Sequence, residues 1–579
     1  MNSSDRKVLP ILFAVALIGG HFVGCSGGST SSGGTTSVAS PGTPGAEEAV
    51  GERLFMETRF AQAFKVFMDN GGNMNDLNAG DAVLDTVETT TPGLPIDPGP
   101  FKGRSMNCRA CHMVDDVLSA PGGGMRTYAD FAPRSPIPAR VDGKTHAPRN
   151  SPPLVNSAVD RPGGVLFHFD AEFNSMEDLV AATFTGRNFG WLPGERAQAI
   201  AHLARVVRGD DGTGDLAQQF DGLPYRILFT GTHAAIPDEF RLPPQFRSFI
   251  GSGSDQEIFD AVVRVVAAYV NGLLFSQSED SGAPIRSPFD VFLAVNGLPQ
   301  QPNPNESSLD YSRRLRALLN APGFTPQFVT SNPNRSDGQF QFHAQPFVFG
   351  ATELAGLKMF LAEPAALPAS GAELTAGKIG NCIACHAAPN FTDFKFHNTG
   401  TTQKEYDDIH SSGAFAALVI PNLVTRNGNY DAFLPATETH PNAIERFRAI
   451  PVLADPTLTD LGIWNVFANP DIPAPQAKIR TILCNDQQPC LLSDGVLLDR
   501  AIARFKTPGL RDLSHSAPYM HNGQFDTLED TIGFYRGISN LARAGTLRNG
   551  ADQLRGIALL AGDLAPLAAF LKSLDEDYQ

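Results

Sequence analysis

The sequence predicts a mainly α-helical protein of two domains, with long loops and a few short strands. At 579 residues the chain exceeds what one hydrophobic core usually serves, so two or more domains are expected. Apolar residues recur at helical spacing in several segments, whereas sustained strand alternation is scarce. The 55 Gly and 44 Pro indicate long irregular connections between short elements.

Five segments carry the helical pattern. The first predicted helix begins at Gly51. The longest lies within 257–275, where Ile258, Val262 and Val266 share one face and no breaker precedes Gly272. The remaining predicted helices cover 354–361, 528–535 and 552–574. The Pro-, Asn- and Phe-rich stretch 323–349 predicts the connection between the two domains.

Composition limits the class of protein. Hydrophobic residues make up 42% and charged residues 18%, which is typical of a globular chain. The net charge of −16 argues against a nucleic-acid partner, because a phosphate backbone is bound by clustered Lys and Arg.

The N-terminus predicts export. Basic residues precede an apolar run, 8–23, that is too short to span a bilayer comfortably and indicates a signal peptide over 1–24. The run ends in a sequence that resembles a lipobox, with Cys25 as the lipidated residue, and a flexible Gly/Ser tether follows over 25–48. We therefore expect a periplasmic or cell-surface lipoprotein of the outer membrane, which meets the membrane only through this anchor. The alternative is an ordinary cleaved signal in which Cys25 plays no part.

Four of the seven cysteines fall in two Cys-x-x-Cys-His motifs. The first motif is Cys108-Arg-Ala-Cys111-His112 and the second is Cys382-Ile-Ala-Cys385-His386. Positions i, i+3 and i+4 share one face of a helical turn, so both thiols can bond to a haem while the His reaches its iron. A zinc site needs four ligands, and neither motif has a second Cys or His pair at suitable spacing. The motifs predict two covalently bound haem c groups, in cytochrome-c-like domains over 49–345 and 346–579.

Two of the seven cysteines, Cys484 and Cys490, belong neither to the two motifs nor to the predicted lipobox. They lie six residues apart in a polar turn, and export would place them in an oxidising compartment, so we expect a small disulfide-closed loop.

A longer pattern resembles one protein family. The segments Phe505-Lys-Thr-Pro-Gly-Leu-Arg511, Ala517-Pro-Tyr-Met-His521-Asn-Gly523 and 527–535 are similar to the bacterial di-haem cytochrome c peroxidase/MauG superfamily. Segments 149–156 and 391–400 and the region after Ser287 also match. The resemblance covers most of 49–579, with insertions near 210–250, 300–345 and 405–480.

The resemblance implies an oxidoreductase with hydrogen peroxide as acceptor. The iron at His112 would react with peroxide, and the iron at His386 would transfer electrons, because peroxide chemistry needs an open coordination site and electron transfer a saturated one. Arg511 is implied as a cofactor-binding residue and His521 as a catalytic one. The electron donor would be a small periplasmic cytochrome c or cupredoxin.

Tyr535 is implied as the second axial ligand of the second haem. It stands fourteen residues after His521, where classical members carry Met and MauG-type members carry Tyr. A thioether raises the reduction potential, whereas a phenolate favours the oxidised iron. The alternative is a tyrosine that simply packs on its helix.

A cation between the haems is implied as well. The family positions for it fall on Asn150, Ser516 and Pro518, whose oxygen donors suit calcium. In the alternative interpretation these are ordinary turn residues.

The chain departs from the family pattern in two places. Phe169 stands where relatives carry a Trp between the haems, and the distal Glu that assists peroxide cleavage has no match. A proton must still move between the peroxide oxygens, so His168, Arg187 and Glu195 are candidate substitutes. Each has a structural role as its alternative.

Four functions fit these residues. The first is a di-haem peroxidase fed by a small electron donor. The others are a MauG-like oxidase of a protein or small organic substrate, a di-haem oxygenase of the rubber-cleaving type, and a surface electron-transfer cytochrome without catalysis.

Overall fold

The computed structural model describes residues 45–75, 107–108, 111–112, 116–117, 125–126, 134–135, 137–159, 164–220, 222–278, 281–341 and 343–577. The predicted signal peptide and Cys25 lie outside the described residues, so both stay predictions. The first helix begins at Ala46, two residues before the end predicted for the tether.

Within these ranges the protein is mainly α-helical, which confirms the predicted class. The helices are α1 (Ala46–Phe55), α2 (Gln62–Asp69), α3 (Met176–Phe184), α4 (Arg196–Gly209), α5 (Asp215–Phe220), α6 (Tyr225–Leu228), α7 (Asp255–Gly272), α8 (Pro288–Val295), α9 (Ser308–Leu319), α10 (Ala351–Phe360), α11 (Gly371–Ala376), α12 (Thr401–His410), α13 (Ala414–Ala417), α14 (Leu423–Gly428), α15 (Tyr430–Phe433), α16 (Gln476–Leu483), α17 (Asp494–Ala501), α18 (Leu528–Ala544) and α19 (Leu564–Lys572). The short strands are β1 (Asp116–Val117), β2 (Met125–Arg126), β3 (Phe396–His397) and β4 (Phe505–Lys506), paired β1 with β2 and β3 with β4, both antiparallel.

Capping and left-handed residues explain where the longest helices begin and end. Helix α7 begins at Asp255, just ahead of the predicted segment, because the Ser254 hydroxyl and the Glu257 carboxylate form a capping box. Helix α18 continues past its predicted end to Ala544 and stops at Gly545, whose φ of 72° favours glycine.

The prediction of helix throughout 552–574 was wrong in its middle part. Short 3-10 turns cover Asp552–Gly556 and Ala561–Asp563, and helix α19 follows. Between the two turns, Ala558 exchanges backbone hydrogen bonds with Ile379 at 2.8 and 3.0 Å. This long-range pairing outweighs the local helical pattern.

The described chain packs around three hydrophobic clusters. The first lies between Val50 and Phe275, and the second between Phe289 and Leu574. The third is formed mainly by residues 396–503, which include the predicted 405–480 insertion. Helices α8 and α9 pack into the second cluster, so the change from the first cluster to the second falls ahead of the predicted boundary at 345.

Two glycines allow the closest helix contacts. A Cβ at Gly51 of α1 would lie 2.5 Å from the Val265 carbonyl oxygen of α7, and one at Gly356 of α10 would collide with the Pro566 backbone of α19. These contacts bring helix α1 against α7 and helix α10 against α19, the elements on which the two motifs rest.

A disulfide joins Cys484 to Cys490, the pair predicted from the sequence. None of the helices in the described ranges is long and apolar enough to cross a membrane.

Candidate functional site

The second motif forms a tight turn. Its first three residues, Cys382–Ala384, are a 3-10 turn, and the backbone N–H groups of Cys385 and His386 donate to the Cys382 carbonyl at 3.1 and 2.7 Å. A Cβ at Gly380, two residues before the turn, would lie 2.8 Å from the Cys382 sulfur and 2.9 Å from the Met359 carbonyl oxygen, so glycine is required there. Both thiols and the imidazole are thereby carried by one turn.

A large cavity of about 240 Å³ lies against this turn. Its walls include Cys382, Cys385, His386 and Tyr535. Burial raises the pKa of the Cys382 thiol to about 12 and that of Cys385 well above its ordinary value. The large cavity therefore presents two neutral thiols, an imidazole and a phenol, which is the donor set that the sequence implies for a c-type haem.

The His386 imidazole has a fixed orientation. Its Nδ1 donates to the Phe391 carbonyl at 2.9 Å, which leaves the lone pair on Nε2 for an iron. Burial lowers the pKa of His386, so the ring is neutral, as a metal ligand must be.

Tyr535 lies on α18 and reaches the same cavity. Burial raises the pKa of its phenol, and the nearby Cys385 and Cys382 add to the shift. A phenolate here would need a positive charge beside it, which a ferric iron provides. The structure brings Tyr535 and His386 to one cavity, and ligation by Tyr535 stays a prediction.

His521 forms another part of the large cavity wall. Its ring stacks on Phe505 with centroids 3.6 Å apart and planes at 12°, and its Nε2 has no hydrogen-bond partner among the residues that the structure describes. Burial lowers the pKa of His521 to about 3, with Asp460 opposing and Arg149 adding to the shift. The side chain therefore faces the cavity as a neutral imidazole.

The residues implied for calcium also meet at this wall. The Asn150 amide donates to the Pro518 carbonyl, and the Ser516 hydroxyl donates to the Asp512 carbonyl at 3.1 Å. Asn150, Ser516 and Pro518 all line the large cavity. The structure thus brings the three positions together, and calcium binding stays a prediction.

The first motif repeats the same backbone turn. The N–H groups of Cys111 and His112 donate to the Cys108 carbonyl at 3.1 and 2.9 Å. The preceding Asn107 donates to the Met56 carbonyl at 2.8 Å, which ties the motif to the end of α1. Cys108 packs against the first hydrophobic cluster.

His112 is a neutral imidazole as well. Burial lowers its pKa to about 4, the backbone of Pro152 acts against the shift, and His168 adds to it. His112 and His168 are therefore close enough to interact electrostatically.

A small cavity of about 110 Å³ shares part of its wall with the large cavity. Pro152, His168, Phe169 and Lys506 are part of its wall. Phe169 and Lys506 also line the large cavity, so they form a wall common to both cavities. Phe169 therefore lines both cavities, and its position between the two haems stays a prediction.

The three distal candidates lie in different places. His168 lines the small cavity. Arg187 pairs with Asp142 at 2.8 Å and Glu195 pairs with Arg140 at 2.8 Å. Neither Arg187 nor Glu195 is among the described residues that line the two cavities. Of the three candidates, His168 is the one that lines one of these two cavities, and a catalytic role for each stays a prediction.

Arg511 reaches the small cavity rather than the large one. Its guanidinium donates to both carboxylate oxygens of Asp290 at 2.9 and 3.0 Å and to the Pro389 carbonyl at 3.1 Å. The observed partners are structural, and a cofactor contact stays a prediction.

Sequence reasoning missed His397 as a site residue. It lines the large cavity, and its Nε2 lies 2.7 Å from the Asp393 carboxylate. The family-like segment 391–400 contains both residues, and the i, i+4 spacing of a His and an Asp was the available signal.

Known proteins of similar sequence are cytochrome-c peroxidases. The chain is 26% identical over 207 residues to cytochrome-c peroxidase IdrP2 of Pseudomonas sp. (strain SCT), a match that covers 36% of this chain and 39% of that protein. It is 36% identical over 73 residues to cytochrome-c peroxidase IdrP1 of Denitromonas iodatirespirans, covering 13% and 18%. The matches thus span less than half of these relatives. No protein-family model matches the sequence.

Two solved structures are similar at low level. The diheme peroxidase BthA from Burkholderia thailandensis has a TM-score of 0.37 and 15% identity, covering 94% of this chain and 89% of that one. A MauG-like protein associated with microbial copper homeostasis has a TM-score of 0.37 and 14% identity, covering 93% and 92%. The sequence matches to cytochrome-c peroxidases agree with the predicted resemblance.

Proposed function

We propose that the chain is a di-haem c-type peroxidase that reduces hydrogen peroxide. His112 would hold the iron that reacts with peroxide, and His386 would hold the iron that serves electron transfer. The observation that carries the proposal is that the large cavity, lined by the second motif, and the small cavity, lined by the His168 that interacts electrostatically with His112, share wall residues that include Phe169 and Lys506. Two redox centres in such an arrangement can exchange electrons.

The residues of the large cavity fit a haem. Cys382 and Cys385 would carry the covalent bonds, and His386 and Tyr535 are the candidate axial ligands. The orphaned Nε2 of buried His521 indicates that a polar group belongs in this cavity. A bound haem supplies an iron that exchanges single electrons and, where an axial position is open, reacts with peroxide.

The chain's own groups orient the ligands and move protons. The Phe391 carbonyl holds the proton on Nδ1 of His386 and so presents Nε2 to the iron. Reduction of hydrogen peroxide to two water molecules consumes two electrons and two protons. His168 is the group we assign to proton movement, because it lines the small cavity and an imidazole can both accept and donate a proton.

Further features complete the proposal. The electrons come from a small periplasmic cytochrome c or cupredoxin. A calcium ion at Asn150, Ser516 and Pro518 supports the segment before His521. Lipidation of Cys25 anchors the protein at the outer membrane.

A MauG-like oxidase is the second candidate function. Tyr535 in the wall of the large cavity favours it, because a phenolate ligand stabilises oxidised iron and suits storage of oxidising equivalents. Its substrate would be another protein or a small organic molecule.

Rapid mixing of the ferric protein with peroxide tests the proposal. The pyridine haemochrome assay should first show two haem c per chain. We then expect steady peroxide consumption with a reduced small cytochrome as donor. A long-lived oxidised state without donor turnover would instead support the MauG-like oxidase, and a protein inert to peroxide would contradict both.

A further inference from the structure

A network of ionic side chains joins the 405–480 insertion to the residues between the two cavities. Its members, called here the insertion network, are Arg149, Asp170, Glu172, Arg448 and Asp460. Arg149 donates to both Asp460 carboxylate oxygens at 2.6 and 2.9 Å and lies 2.6 Å from Asp170. Arg448 lies 2.6 Å from Glu172 and 3.8 Å from Asp170.

The network is largely withdrawn from water. Arg149, Asp170 and Asp460 are buried, and the side chains of Arg448 and Glu172 are each 18% exposed. Burial alone would raise the pKa of the Asp460 carboxyl, but Arg149 holds it below its ordinary value. Arg448 does the same for Glu172. The Asp460 and Glu172 carboxylates are therefore ionised, and each is kept so by the arginine beside it.

One arm of the network reaches the large cavity. The Arg149 guanidinium lies 5.7 Å from the Phe505 ring centroid, and Phe505 stacks on His521. Asp460 also accepts the backbone N–H of Gly462 at 2.9 Å. Asp460 thus fixes Arg149, and Arg149 packs on the ring that supports His521.

The other arm reaches the small cavity. Glu172 lies 3.3 Å from Nδ1 of His168, while Arg448 holds the same carboxylate at 2.6 and 3.2 Å. His168 has a left-handed backbone with φ 62°, which residues other than glycine keep only where their surroundings hold them. The ring of His168 also meets that of Phe173 edge-on at 4.9 Å.

The two arms meet beside the wall between the cavities. Asp170 is fully buried within reach of both arginines, and it directly follows Phe169, which lines both cavities. A buried ion network is by itself weak evidence for stability, because well-packed apolar residues often do as well. The geometry of this network indicates a positioning role instead. One end contacts Phe505 in the wall of the large cavity, and the other contacts His168 in the wall of the small cavity.

We propose that Asp460 and Arg448 are positioning residues through which the insertion fixes the groups that face the two haem sites. Asp460 acts through Arg149 on Phe505 and His521 at the large cavity. Arg448 acts through Glu172 on His168 at the small cavity. The inference rests on the haem binding in the proposed function but not on the fate of peroxide.

The test compares Asp460→Asn and Arg448→Lys in the full-length holoprotein. Glu438→Gln is the matched control, because this carboxylate of the same insertion is 68% exposed and lies 3.8 Å from its nearest arginine. The readouts are the electron paramagnetic resonance g-values and reduction potentials of the two resting ferric haems. Signals are assigned to the second haem by their response to His386→Met.

We expect a crossed pattern. Asp460→Asn shifts the signals of the second haem, Arg448→Lys shifts those of the first, and Glu438→Gln shifts neither.

Two results would overturn the inference. One is unchanged g-values in both network variants together with a lower unfolding midpoint, which would indicate a purely structural network. The other is an equal shift of both haems in each variant, which would indicate general loosening. If Asp460→Asn does not fold, Asp460→Glu replaces it, because Glu keeps the carboxylate on a longer side chain. Wild-type g-values in Asp460→Glu would also overturn the inference. Because resting spectra need no peroxide, absence of peroxidase turnover in the wild type would count against the proposed function alone.

Discussion

The two Cys-x-x-Cys-His motifs share one backbone turn and differ in what holds them. The first motif is tied through Asn107 to the Met56 carbonyl, next to a buried group of charges formed by Arg53, Glu57, Arg59 and Asp210. The second motif lies against a cavity with mostly apolar walls and is fixed by backbone contacts, at Gly380 and at the Phe391 carbonyl.

The two halves should therefore respond to different kinds of substitution. Around the first motif, buried charges compensate each other, so that removal of one charge leaves its partner unpaired in a dry interior. Around the second motif, the fit of apolar groups and the direction of one imidazole matter more. Substitutions of these buried charges should therefore lower the stability of the first half, and substitutions at the wall of the large cavity should change spectra more than stability.

Asp210→Asn should have the largest effect on stability. Its carboxylate holds Arg53 at 3.1 Å and Arg59 at 3.0 Å, and both guanidinium groups are at most 1% exposed. Loss of this charge should lower the free energy of unfolding by about 3–5 kcal/mol, as measured by denaturant titration. Asp69→Asn is the control, because Asp69 pairs with Lys65 and Arg205 at the surface, and we expect little change there. Equal effects of the two variants would show that the buried charges stabilise the first half no more than surface charges do.

Glu576 is a buried carboxyl beside the second core, and it should make stability depend on pH. Burial raises its pKa from 4.5 to about 8, Asp290 adds to the shift, and the Ser276 N–H opposes it at 2.7 Å. Because the pKa is raised in the folded state, the stabilisation is complete below about pH 4.5 and is lost as the pH rises through about 8.

Glu576→Gln isolates this contribution. Between pH 5 and 9 the wild type should lose on the order of 3 kcal/mol relative to the variant, since one unit of pKa difference corresponds to about 1.4 kcal/mol and relaxation reduces the sum. Parallel stability curves for the two proteins in guanidinium titrations would show that the buried carboxyl does not titrate in this range.

Local features were predictable from the sequence because their partners are close in the chain. The two motif turns follow from the i, i+3, i+4 spacing, and the Cys484–Cys490 disulfide closes a loop of adjacent residues. Helix α7 was predicted from its apolar face. The helical pattern failed at Ala558, where a contact with distant Ile379 decides the backbone.

The insertion network could not be predicted in this way. Arg149 and Asp460 are 311 residues apart, and Glu172 and Arg448 are 276 apart, so no spacing relates them. The pairs form because the third cluster packs against Leu166 and Ala171, which lie beside Asp170 and Glu172. Tyr535 was found from the sequence only through the family resemblance, and the fold brings it to the same cavity as His386.

We propose that Tyr535 and His386 are both ligands of the second iron. The optical and electron paramagnetic resonance spectra of Tyr535→Phe test this directly. Phe keeps the ring and removes the oxygen, so the fold and a content of two haems per chain should be retained. We expect the low-spin signal of the second haem to disappear or to change to that of a different ligand set. The reduction potential of this haem should rise. An unchanged low-spin spectrum at full haem content would contradict the claim.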